Sequence, residues 1–257
     1  AGCGAAARRI VPPRVPHHAR QRPSPRGSTT GVPRDTCRTI GPGDVRAFVA
    51  LIPPAGALAE LADAVAPVRA SHPDLRWTPA AQWHLTLAFL GEVDDGVLPD
   101  LTRRLARAAR RHPPVQLALA GGGRFGDRVL WTRVHPGPPS GESRVPPRRV
   151  AQLGPASRAS GYGARSDGLG ALARLAASVA AAARRCGIPV DDRPYRPHLT
   201  LARGREGADL RPAVATLSAF AGSSWTAEEL HLVRSRLGAG PGGTAAHEVV
   251  GTWPLGR

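Results

Sequence analysis

The tetrapeptide His-Leu-Thr-Leu occurs twice in this chain, at His84-Leu85-Thr86-Leu87 and at His198-Leu199-Thr200-Leu201. In a β-strand successive side chains point to opposite faces, so the His and Thr share one face and the two leucines the other. The leucines can anchor such a strand against a core, which leaves the imidazole and the hydroxyl facing a cleft. Two strands of this kind would present two imidazoles and two hydroxyls to one ligand, a set suited to displacement at phosphorus. That reaction needs a base on the attacking side and an acid on the leaving side. Imidazole, with an ordinary pKa of about 6.5, fills either role near neutral pH. Threonine hydroxyls donate to non-bridging phosphate oxygens and so stabilise charge as it shifts in the transition state. A single His-x-Thr in a strand is commonplace. A repeated tetrapeptide at matching places of two half-chains is not.

The other chemistry-bearing residues offer less. His17, His18, His72, His112, His135, His231 and His247 form no His-x-x-x-His helical pair and sit beside no cysteine pair, so no metal site is expected. Cys3, Cys37 and Cys186 form no spaced pair either, so no disulfide framework is expected and a reducing cytosol fits best. Gly121-Gly122-Gly123 lacks the Lys and Ser/Thr of a phosphate loop and reads as a hairpin turn. Trp77, Trp83 and Tyr195 lie near the motifs, where stacking on a base and packing in a core are both open. Arg203 follows His198 by five residues, so strict alternation puts it on the face opposite His198. A bend after Leu201 would swing it towards the cleft, but the sequence does not show that bend.

Positioning these groups falls to elements legible from periodicity. Val45 to Ile52 is short and apolar, ends at Pro53-Pro54, and predicts a buried strand. Leu58, Leu61, Ala62, Val65 and Val68 recur at helical spacing, as do Leu98, Leu101, Leu105 and Ala108. The arginines of that second helix fall largely on its solvent side, late enough to suit the dipole. Val115–Ala120 and Arg128–Val134 predict strands on either side of the glycine turn. Leu172, Leu175, Ala176, Val179 and Ala183 predict a helix stopped by Gly187. A strand at His198–Arg203, a short helix over Leu210–Leu217, and strands at Thr226–Leu237 and His247–Leu255 complete the chain. Helix, His-bearing strand, helix, strand and strand thus occur twice, an internal duplication of order rather than identity. The expectation is an α+β protein of two lobes, each with a small antiparallel sheet backed by helices.

Composition bounds the rest. The net charge is +16 over 257 residues, and every basic side chain is arginine. Arginine for lysine, with no Met, reads first as the imprint of GC-rich coding, although a positive balance also favours polyanionic partners. Residues 1–44 and 138–168 are rich in Pro, Arg and Gly without periodicity. They predict a disordered basic tail and a solvated insert, flanking a first lobe at 45–137 and a second at 169–257. No run of 18 apolar residues exists, so no membrane span is expected.

On its motifs the chain resembles the 2H phosphoesterase superfamily, within it the bacterial RNA 2′,3′-cyclic phosphodiesterase (2′-5′ RNA ligase) branch. The stretches that carry the resemblance are Arg46–Leu51, Leu75-Arg76-Trp77-Thr78, Trp83–Val93, Arg193–Arg203 and Leu232–Leu237. The resemblance implies a bilobal fold with its active site in a central cleft. It implies catalysis by His84 and His198 with no metal or other cofactor, His84 protonating the departing ribose O3′ and His198 activating water. Thr86, Thr200 and Arg203 match phosphate-binding positions. The implied reaction opens a terminal 2′,3′-cyclic phosphate on RNA to a 2′-phosphate, with reversible joining of 2′-5′ linked ends as a further activity. RNA ends or cyclic phosphate nucleotides are the implied partners; a monomer is expected, and the cysteine usage predicts a cytoplasmic location. A phosphodiesterase on another cyclic phosphodiester, or a non-catalytic module that binds RNA ends, would use the same cleft.

Overall fold

A computed structural model of the chain describes residues 44–137, 167–240 and 243–256. Almost all of the tail and of the insert expected from composition lie outside the described residues, Asp44 opening the first strand and Asp167 the third helix. Among the described residues nine strands and four α-helices follow one another in the order β1 (Asp44–Leu51), α1 (Ala55–Ser71), β2 (Arg76–Trp77), β3 (Leu85–Asp94), α2 (Leu98–Arg110), β4 (Val115–Phe125), β5 (Val129–Pro136), α3 (Asp167–Arg184), β6 (His198–Arg203), α4 (Arg211–Leu217), β7 (Trp225–Ala227), β8 (Glu229–Arg236) and β9 (Ala246–Pro254). Among the described residues no helix is long and apolar enough to cross a membrane.

The helices form where an apolar stripe recurs at helical spacing and end where the backbone is capped. In α1 the buried stripe is Ala57, Leu61, Val65 and Val68. In α2 it is Leu101, Leu105, Ala108 and Ala109, with Arg103 and Arg104 bonded to Asp100 one turn earlier. α3 stops at a Schellman motif: Ile188 N donates to the Ala183 carbonyl and Gly187 N to that of Arg184. Gly187 takes φ of 76°, the left-handed conformation this cap requires.

The strands form one curled antiparallel sheet in the order β7-β4-β5-β6-β3-β1-β8-β9, with β2 added beside β6. This order is a palindrome about the β6–β3 junction, where β6 mirrors β3, β5 mirrors β1, β4 mirrors β8 and β7 mirrors β9. Each half of the palindrome is a lobe. Its strands come from both sides of the insert, however, since β5 pairs β6 and β1 pairs β8. Neither half of the chain supplies a sheet of its own.

One core lies between the sheet and the helices. Leu85 and Leu87 of β3 and Leu199 and Leu201 of β6 share it with Leu61, Leu101, Leu105, Leu172, Leu175 and Val179. Burying each such side chain is worth roughly 1.5–3 kcal/mol, which is what pins the two motif strands with their leucines inward.

Beyond shifts at strand ends, the strands differ from the sequence expectation in three places. The stretch Thr226–Leu237 is two strands, because the chain leaves β4 after Ala227, joins β9 from Glu229 and joins β1 from His231. The short β2 was not expected. The glycine triplet is not a turn: β4 runs through it to Phe125, and the chain turns at Gly126–Arg128. Gly121 forms a bulge at φ of 63°, its N–H donating to Phe220 and its carbonyl accepting from buried Thr132. Gly122 lets α4 approach, as a Cβ there would lie 2.8 Å from Leu217. Gly123 gives way to the Trp131 ring, which would be 2.2 Å from a Cβ.

Candidate active site

β3 and β6 touch at one paired position, Leu85 opposite Leu199, and then diverge. Extending that register by one residue sets His84 across from Thr200 and Thr86 across from His198. Two imidazoles and two hydroxyls therefore meet about a local twofold, on the sheet face away from the helices. All four line a cleft of about 560 Å³. A smaller cavity between α2 and α3, about 320 Å³, is walled by arginines and alanines and holds none of the motif residues.

Each imidazole is fixed in the same way. His84 Nδ1 lies 2.7 Å from the carbonyl of Gln82, and His198 Nδ1 lies 2.7 Å from that of Arg196. A carbonyl only accepts, so Nδ1 carries a proton in both rings and Nε2 is left for chemistry. Nε2 is a base when the ring is neutral and an acid when it is charged. Pro197, just before His198, holds Arg196 in extended backbone, which suits this bond.

Aromatic rings back both imidazoles. His84 stacks on Phe48 at 4.4 Å between centroids and meets His247 edge-on at 5.2 Å. His198 meets Phe125 edge-on at 4.8 Å and Trp131 at 6.1 Å. This burial disfavours the charged form of each ring. It pushes His84 down to about 4, partly offset by the bond to Gln82, with the charges of His247 and His198 lowering it further. Burial also lowers His198, the bond to Arg196 opposes this, and the Arg203 charge adds to the lowering. His247 is lowered by burial alone.

Arg203 reaches the cleft through a β-bulge. Opposite β5, Trp131 pairs with Thr200 but Leu130 pairs with Ala202, so Leu201 is the extra residue. Leu201 and Ala202 are consecutively buried, the alternation slips by one, and Arg203 emerges on the His198 face. β3 carries the same bulge at Leu87, where Val49 pairs with Ala88 and Ala50 with Thr86. The residue it turns into the cleft is Phe89, 63% exposed. The twofold thus sets a cation on one side and an aromatic ring on the other.

The five motif residues singled out by sequence, His84, Thr86, His198, Thr200 and Arg203, all line this one cleft. Of the aromatic residues left open, Trp83 is buried in the core and Tyr195 packs against it, whereas Trp77 lines the cleft. His231 points elsewhere, towards Thr252 and Glu229. Nothing in the sequence marks Phe48, Phe125, Trp131 or His247 as neighbours of the imidazoles. They lie on other strands, and no spacing within one strand reports a contact across the sheet. Among the described residues no group of three or more His, Cys, Asp or Glu side chains is placed to hold a metal ion.

The curled antiparallel sheet with twin His-x-Thr strands at its pseudo-twofold is the fold of the 2H phosphoesterases. The chain belongs to the 2′-5′ RNA ligase superfamily, which it matches over residues 53–239. It is 32% identical over 195 residues to the RNA 2′,3′-cyclic phosphodiesterase of Thermus thermophilus, covering 75% of this chain and 83% of that protein. It is 29% identical over 186 residues to the protein of the same name from Geobacillus stearothermophilus, covering 72% of this chain but only 49% of that one. The crystal structure of E. coli LigT complexed with 3′-AMP superposes with a TM-score of 0.55 at 26% identity, over 83% of this chain and 99% of that chain.

Proposed function

We propose that this protein is an RNA 2′,3′-cyclic phosphodiesterase that opens a terminal cyclic phosphate to a 2′-phosphate with two histidines and no metal ion. The observation that carries this reading is the pair of imidazoles, each with Nδ1 tied to a carbonyl two residues earlier and Nε2 free in one cleft. Hydrolysis needs two proton movers of opposite state on opposite sides of phosphorus, and a twofold supplies them. Neutral His198 accepts a proton from water as the water oxygen bonds to phosphorus. The P–O3′ bond breaks, and O3′ takes the proton of charged His84. The positive charge has then moved from His84 to His198, and proton exchange with solvent resets the pair.

Repulsion between the two rings disfavours protonating both at once and lowers His84, so the charged His84 that this reaction requires depends on the anionic substrate. The anionic substrate offsets the burial that keeps both rings neutral in the free protein. Thr86, Thr200 and Arg203 supply hydroxyl and guanidinium donors for the non-bridging oxygens. The names of the Thermus and Geobacillus relatives and the 3′-AMP complex of the E. coli neighbour support a nucleotide end as the substrate. When a ribose 5′-hydroxyl replaces water, the same geometry joins ends through a 2′-5′ linkage.

The test is conversion of an RNA oligonucleotide with a 2′,3′-cyclic end, in the presence of EDTA. Wild type yields the 2′-phosphate. His84→Ala and His198→Ala each lose roughly 10²–10⁴-fold in kcat. Undiminished turnover in either variant removes that histidine from the mechanism, and binding without turnover replaces the reading with that of an RNA-end binding module.

A further inference from the structure

We propose that Arg76 and Arg203 form a second phosphate site in the cleft, which takes the internucleotide phosphodiester preceding the terminal nucleotide. This rests on the cyclic-phosphodiesterase reading and narrows its substrate class to RNA ends carrying at least one phosphodiester. The two arginines are direct cross-strand partners in the β2–β6 pair, and both line the cleft. Like charges in that position repel, and strands ordinarily avoid them. No ion pair among the described residues neutralises either guanidinium.

The strand that carries Arg76 is also held in place. Trp77 pairs with Ala202, its indole N–H donates to the His72 carbonyl, and Thr78 N donates to the Leu201 carbonyl. The bulge at Leu201 then turns Arg203 to the same side. Two cations are thereby fixed side by side, past Thr200 and on the far side of it from His198. An anion between them removes the repulsion. The reacting phosphate belongs beside the histidines, within reach of Arg203. The anion that suits the pair as a whole is the next phosphate along the chain, which a cyclic mononucleotide lacks.

The experiment compares a nucleoside 2′,3′-cyclic phosphate with a dinucleotide ending in the same group, for wild type, Arg76→Gln and Arg76→Lys. Arg76→Gln is expected to lose about 10–100-fold in kcat/KM on the dinucleotide, the range for a charge-assisted bond, and to be unchanged on the mononucleotide. Arg76→Lys restores part of the loss. The salt slope of log kcat/KM for the dinucleotide becomes shallower by about 0.7 in Arg76→Gln. The thermal midpoint of Arg76→Gln rises, because a repulsion has been removed. An equal loss on both substrates, or no loss on either, overturns the proposal, as does a fall in midpoint with loss on both. Binding of the 2′-phosphorylated dinucleotide and of the 2′-mononucleotide is measured alongside. A preference for the dinucleotide that depends on Arg76 upholds the site even if wild type opens neither cyclic substrate, an outcome that would sink the cyclic-phosphodiesterase reading alone.

Discussion

Both catalytic candidates are histidines pushed below their ordinary range, chiefly by burial. A lowered pKa means that the charged ring is lost as pH rises through a value already below about 6.5. The kcat/KM profile reports the free protein and is therefore expected to peak on the acid side of about 6.5 and to fall as pH rises further. A bound anion raises both pKa values, so the alkaline limb of kcat lies at higher pH than that of kcat/KM. Profiles of the two constants on a nucleoside cyclic phosphate check this, and a kcat/KM that is flat from pH 6.5 to 8 contradicts it. The bulge-turned residues give a second prediction at this scale. Arg203→Lys keeps the charge but loses the planar fork, and a loss of roughly 10–100-fold in kcat/KM is expected. Phe89→Ala, at an exposed position, is expected to raise KM for RNA by about tenfold through lost base stacking, with the thermal midpoint unchanged. Steady-state kinetics and a melting curve separate the two.

Between residue and fold stand the paired strands and their bulges. Gly123 has no chemistry of its own, yet Trp131 lies across it and abuts both Phe125 and His198. A methyl group at Gly123 displaces that ring and loosens the backing of one imidazole while leaving His84 untouched. Gly123→Ala is expected to cost about 1–3 kcal/mol of stability, the usual range for overpacking, and to lower kcat several-fold or more. Denaturant unfolding and kcat measured on one preparation test this, and full kcat with full stability would show that the ring has room to move. From sequence alone these glycines read as a turn, because turn residues and bulge residues are the same residues. Which of the two they serve depends on the partner strand, here β5, and on the helix packed behind.

The whole molecule is assembled by exchange between the two sides of the insert. β1 and β3 are completed by β8 and β9, and β6 by β5 and β4. Expressed alone, 44–137 and 167–256 each leave strands without the neighbours that cover them, so neither is expected to unfold cooperatively. Produced together, they are expected to associate and to recover the proposed cyclic-phosphate hydrolysis. Circular-dichroism melts of each segment and of the mixture decide the point, and a cooperative melt of either one alone refutes the exchange as the basis of stability.

Much of this was legible in the sequence, for reasons that differ by feature. The four helices and the two motif strands could be read because their apolar periodicity is written among neighbours in the chain. Pairing His84 with His198 needed only the repeat and the alternation rule, which together specify two imidazoles and two hydroxyls on exposed strand faces. The chemistry those groups can do followed from residue type. Tertiary structure alone decided which face Arg203 takes, since the bulge at Leu201 exists only against β5. It also decided which rings back each imidazole, which strands complete each lobe, and that Arg76 stands beside Arg203. Each of these is a matter of register between strands far apart in sequence. Register is settled by packing across the sheet, where local periodicity carries no information.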